Sequence, residues 1–160
     1  MDKRTLANDL ISSLGNTLTV RDLRLDESTA SCVLVFDGDL VLNIAYDEPT
    51  GQLVLSAYLD ELPAEGAEPI LRELLAANLY WHRTRGATLA LEEGTNGIVL
   101  AYRASVTELD AASFEACVEN FVKQAERWHG RIVAGKEEAA RASTGSAAAE
   151  PARLGGLIYG

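Results

Sequence analysis

The sequence predicts an α+β domain, an antiparallel β-sheet with helices packed on it, in the order α-β-β-β-α-β-β-α. Three observations carry that prediction. Asp37-Gly38-Asp39 separates two runs of alternating apolar residues, the strongest short-range hairpin signal. A second pair of such runs flanks Gly94-Thr95-Asn96-Gly97. Elsewhere apolar residues recur at three- and four-residue spacing, before Gly15, before Gly86 and from Phe114 to Trp128.

The first helix is expected over about Arg4 to Leu14, with Leu6, Leu10 and Leu14 on one stripe and Gly15 as a C-terminal stop. Three strands follow, "ASCVLVF" (30–36), "LVLNIAY" (40–46) and "QLVLSAYL" (52–59), joined by short turns into a meander. Cys32, Leu34 and Phe36 share one face, and Val33 and Val35 the other. Val41, Ala45, Val54 and Tyr58 likewise lie opposite the main apolar face. Antiparallel sheets usually turn one polar face to water, so apolar residues on both faces point to a cover on both. Pro69 suits the first turn of a second helix running to about Arg83, apolar around almost its whole circumference. The second hairpin pairs "ATLALEE" (87–93) with "IVLAYRA" (98–104), and Asp110 caps a last helix. Residues 1–133 are expected to form one domain. From 134 to 160 the chain turns rich in Ala, Gly and Ser and is expected to be a flexible tail, ending in an apolar Leu157-Ile158-Tyr159 that could add to a sheet edge.

The net charge of −10 lies within residues 1–133, because the tail holds three residues of each sign. Nucleic-acid binding calls for clustered Lys and Arg, and none is present, so that class is excluded. No apolar run reaches the length of a membrane helix, and the start, "MDKRTLANDLISSLG", has no secretory character. The chain is expected to be cytoplasmic, with no membrane insertion. Cys32 and Cys117 lie far apart without metal-type spacing and are expected as buried thiols.

Catalytic candidates are thin. His82 and His129 sit where the second and third helices are expected to end, a position that favours polar and cationic groups on its own account. Gly94 and Gly97 form a strand-to-strand turn, whereas a phosphate loop leads into a helix N-terminus. The pairs Asp37/Asp39, Asp47/Glu48, Asp60/Glu61 and Glu92/Glu93 fall in turns or at strand ends, without the shielding that separates the pKa values of an acid–base pair. No catalytic, metal or cofactor residue is assigned. What the chain has in excess is apolar surface, which points to protein partners and, for a self-complementary helix face, to a two-fold dimer.

The stretch "PILRELLAANLYWHRTRGATLALEEGTNGIVLAYRASVTELDAASFEACVENFVKQAERW" resembles the class I type III secretion chaperones, the Tir-chaperone (CesT) family. It carries a helix with a Leu-Leu pair and Asn78, a glycine-preceded strand, a hairpin, a Leu109-Asp110 helix start and a closing helix with "QAE" before an aromatic. Across roughly residues 4–130 the element order, small size and acidity agree. The resemblance implies a homodimer in the bacterial cytoplasm that binds the N-terminal region of a secreted effector without ATP, cofactor or covalent chemistry. Effector segments would wrap around it in extended form, adding strands to sheet edges and laying short helices into apolar patches.

Under that implication, pairing of the second helices makes Leu71, Leu74, Leu75, Asn78 and Leu79 candidates for a dimer interface, helped by Leu89 and Leu91. The candidates for effector contact are Leu6, Leu10 and Leu14 of the first helix and the strand residues Val33, Val35, Val41 and Val54. Two other readings stand beside this one: a small ligand-binding or enzymatic α+β domain with a pocket between sheet and helices, and a regulatory adaptor of the same fold.

Overall fold

The computed structural model describes residues 1–147. Its order is α1 (Lys3–Thr17), β1 (Ser31–Phe36), β2 (Leu40–Asp47), β3 (Gln52–Glu61), α2 (Ala67–Asn78), a single 3-10 turn (Leu79–Trp81), β4 (Thr88–Glu92), β5 (Gly97–Ser105) and α3 (Ala111–Ala147). The five strands form one antiparallel sheet in the order β1-β2-β3-β5-β4, which leaves β1 and β4 at the edges. The predicted element order is the observed one.

The register explains the core. Leu34 pairs with Leu42, Leu42 with Ala57, Ala57 with Leu100 and Leu100 with Leu89, so one inward row crosses all five strands. All of these are buried. Against them α3 sets Phe114, Val118, Phe121, Ala125, Trp128 and Ile132, a strict alternation of four- and three-residue steps that keeps one stripe on the sheet. Asp110 begins this helix as expected: its carboxylate accepts from the Ser113 backbone N–H at 2.7 Å. Asp2 does the same for α1 through the Arg4 N–H at 3.2 Å.

Three boundaries differ from expectation. Helix α1 runs through Gly15 to Thr17, and Gly15 is buried inside it. A Cβ at that position would stand 2.7 Å from the Cβ of Leu23, so this glycine is a close-approach residue rather than a stop. Helix α2 ends at Asn78 instead of near Arg83, because Leu79 turns extended (φ −61°, ψ 117°) and Tyr80 and Trp81 are left-handed. Helix α3 passes the expected end near Val133 and continues to Ala147. Its inward stripe goes on as Gly135 and Ala139: a Cβ on Gly135 would come 3.0 Å from Ile70, and one on Gly66 would come 2.5 Å from Ala139. Lys136 donates to Asp60 at 2.9 Å. The small residues that made 134–147 look like a tail are the ones that let α3 lie close to the start of α2. Leu157-Ile158-Tyr159 lies outside the described residues.

Candidate functional site

All three helices lie on one face of the sheet. The opposite face is built from the alternate residues of each strand, and among the described residues no helix covers it. One row across it, fixed by the pairs Val35–Val41, Tyr58–Val99 and Ala90–Val99, is apolar throughout. Val33, Val35 (70% exposed), Val41 and Tyr58 are all open to solvent, and Val54 on the same face is half-buried. The expectation of a cover on both faces therefore does not hold among the described residues.

The second uncovered surface is on α2. Ile70, Leu74 and Ala77 face the core, while Leu75 is 69% exposed and Leu79 just beyond the helix is 62% exposed. Leu71 is half-buried on the same side, and Leu91 of the edge strand β4 is exposed. Helix periodicity explains the split: residues 70, 74 and 77 form one stripe, and 71, 75 and 79 a stripe rotated by about 100°.

The candidate residues thus separate into three groups. Leu71, Leu75, Leu79 and Leu91 are accessible on the α2–β4 side, and Val33, Val35, Val41 and Val54 on the open sheet face. Leu10, Leu14, Leu74 and Leu89 are buried in the protein's own core and offer no surface, with Leu6 half-buried against that core. A leucine at helical spacing marks an apolar stripe, and here α1 turns its stripe inward. Asn78 is engaged within the chain. Its amide donates to the Leu89 carbonyl and its carbonyl accepts from the Leu89 N–H, both at 2.8 Å. Those Leu89 groups lie on the outer edge of β4, so Asn78 both ties α2 to the sheet and covers part of an edge.

Three exposed aromatic residues were not among the candidates: Tyr58, Tyr80 and Trp81. Tyr58 carried a signal, its place opposite the main apolar face. Tyr80 and Trp81 were masked by the helical pattern running into them.

The polar features are structural. Arg83, Arg127 and Arg131 gather around the buried Trp128 ring at 5.5–5.7 Å from its centroid, and Glu73 pairs with Arg83 and Arg131. His129, expected as a helix-end residue, sits well inside α3 with Nδ1 2.6 Å from the Leu59 carbonyl. Cys32 and Cys117 are free and half-buried rather than fully buried, and burial pushes the Cys32 thiol up to about 11, which keeps it a poor nucleophile. Among the described residues no His, Cys, Asp and Glu come together as a metal site, and no helix is long and apolar enough to cross a membrane.

This architecture has close counterparts. A chain in the crystal structure of the ExsC–ExsE complex superimposes with a TM-score of 0.72 at 26% identity, over 82% of this chain and 97% of that one. A chain of the HopA1–SchA chaperone–effector complex gives 0.67 at 17%, over 81% and 98%. A chain of the Yersinia pestis type III secretion chaperone SycH in complex with a fragment of YscM2 gives 0.62 at 15%, over 76% and 98%. The last two bear on the fold alone. No curated protein matches with significance. The profile of the Tir chaperone protein (CesT) family matches residues 9–129, which take in the whole sheet, all of α2 and parts of α1 and α3. The chain belongs to the Tir chaperone protein (CesT) family, as its sequence pattern implied.

Proposed function

We propose that this protein is a chaperone that binds the N-terminal region of a type III secreted effector and keeps it soluble and secretion-competent. The observation that carries the reading is the apolar surface left open on a chain whose core is otherwise closed. The uncovered sheet face with Val33, Val35 and Val41 suits an extended, unfolded segment. The similar structures support it, since ExsC–ExsE is a two-protein complex and HopA1–SchA is a chaperone–effector complex. Binding by apolar contact needs neither ATP nor a covalent step, so the protein works without enzymatic activity, in the bacterial cytoplasm where effectors await export.

The other apolar surface is assigned to a second copy. Leu71, Leu75, Leu79 and Leu91 form a self-complementary patch across a two-fold axis, the commonest oligomer geometry. Two experiments test the whole. Co-expression with candidate effectors should yield a co-purifying complex through effector N-terminal segments; failure of every segment, with binding of a metabolite instead, overturns the chaperone reading. Light scattering should give a dimer at micromolar concentration, and Leu75→Asp or Leu79→Asp should give a folded monomer, because a charge on that patch would be buried without a partner. A monomeric wild type refutes the helix pairing.

A further inference from the structure

The turn after α2 holds two large aromatics where the backbone disfavours them. Tyr80 and Trp81 have φ of 57° and 55°, the left-handed region that bulky L-residues adopt only at a cost in strain. Neither gains by burial: Trp81 is 54% exposed and Tyr80 is exposed as well. Yet the turn is held firmly. The Trp81 carbonyl accepts from the Gly86 N–H at 3.0 Å and from the Thr84 hydroxyl at 3.3 Å, and Thr84 is fully buried. Arg83, in the same turn, stacks on Trp128 and pairs with Glu73. A solvent-facing indole carried on a strained, firmly held backbone is what a preorganised binding element looks like.

Trp81 overhangs the open sheet face. Together with Val54, Thr88, Ala101 and Arg103 it bounds a cleft of about 360 Å³. Arg103 is the only Lys or Arg in the five strands, and it is exposed. Among the described residues its guanidinium has no carboxylate within ion-pair distance, although the chain carries a net charge of −10. A lone cation beside an apolar cleft calls for a carboxylate from a partner. Ala101 and Arg103 stand two residues apart on β5, so they face the same way about 7 Å apart.

We propose that this cleft receives an extended peptide segment presenting an apolar side chain and a carboxylate two residues apart, the first under Trp81 and the second on Arg103. The inference rests on the chaperone reading and names the kind of segment it takes at this end of the sheet.

Trp81 is its own reporter, because the other tryptophan, Trp128, is fully buried. The first probe is a short synthetic peptide repeating Leu-Ser-Glu-Ser, which sets Leu and Glu on one face when extended. It should shift the emission of the acrylamide-accessible tryptophan to the blue and protect it from the quencher. The Leu-Ser-Lys-Ser peptide should bind about 10-fold more weakly, and Arg103→Ala should weaken the Glu peptide about 3- to 5-fold. Equal binding of the two peptides, or no effect of Arg103→Ala, overturns the inference. So does an indole already shielded from acrylamide in the free protein, which would mean that a second copy closes the cleft.

The second arm uses an effector that co-purifies with wild type. Trp81→Ala should weaken its binding roughly 10- to 30-fold, as for a central aromatic anchor. Undiminished binding to a Trp81→Ala, Arg103→Glu variant overturns the cleft and leaves the chaperone reading standing. If no effector co-purifies even with wild type, the chaperone reading falls, and the peptide titration still decides the cleft.

Discussion

Helices α2 and α3 are similarly apolar in sequence and are used in opposite ways. In α3 the stripe from Phe114 to Ile132 is buried in the chain's own core. In α2 one stripe, Ile70, Leu74 and Ala77, meets that core, while Leu75 and the following Leu79 stay in solvent. The two faces of the sheet repeat the contrast, since Leu34 and Leu42 are covered and their neighbours Val33, Val35 and Val41 are not. An apolar stripe that finds its partner within the chain stabilises the fold; one that does not is available for another chain.

The contrast is most sharply tested by truncation on each helix. Phe121→Ala, on the buried stripe of α3, should destabilise the protein by about 3–5 kcal/mol through lost burial and a cavity. Leu75→Ala should change the stability of the monomeric protein by no more than about 0.5 kcal/mol. Urea unfolding at high dilution measures both, and equal losses would mean that Leu75 packs within its own chain. Next in size is Asn78→Ala, which leaves the Leu89 N–H and carbonyl without partners and should cost about 1–3 kcal/mol. Unchanged stability there would mean that Asn78 does not fasten α2 to the sheet.

A smaller effect is expected where α3 passes the start of α2. Gly66→Ala adds a methyl at φ 73° and 2.5 Å from the Ala139 Cβ, and should cost on the order of 1–2 kcal/mol. Removal of residues after 133 should lower the melting temperature by uncovering Ile70. If that truncation is neutral, the helical extension contributes nothing to the fold.

The smallest effect is electrostatic. Burial pushes the Asp60 carboxyl upward, but the Lys136 ammonium and the Glu61 N–H outweigh it and hold it below the ordinary range. The hydroxyl of Ser28, with the Thr29 and Ser28 N–H groups, lowers exposed Asp26 to about 2. For both groups the unfolded chain takes up protons first on acidification. The stabilisation is therefore complete above the ordinary carboxylate pKa of about 4 and is lost as pH falls below it, for Asp26 on the way to about 2. Asp60→Asn should flatten the fall of melting temperature over that window; an unchanged slope would show that the Lys136 contact is not made in solution.

Much of this was legible in the chain itself. The Asp-Gly turn, the two-residue alternation of the strands and the cap at Asp110 follow from local geometry, and they fixed the element order and the two faces of each strand. The same alternation put Val33, Val35, Val41 and Val54 together. The errors at Leu10, Leu14, Leu74 and Leu89 share one cause: periodicity finds an apolar stripe but does not say what covers it.

What the sequence alone determined is every feature that depends on neighbours within a few residues: strand alternation, turns, the α3 stripe and the acidic surface. Only the tertiary structure decided that all helices share one side of the sheet, and that Gly15 and Gly135 serve close packing. It also decided that α2 stops at Asn78, where that side chain reaches the edge of β4, 11 residues on. Periodicity is a property of the local chain, whereas burial depends on which distant segment arrives, and that is settled when the whole sheet is assembled.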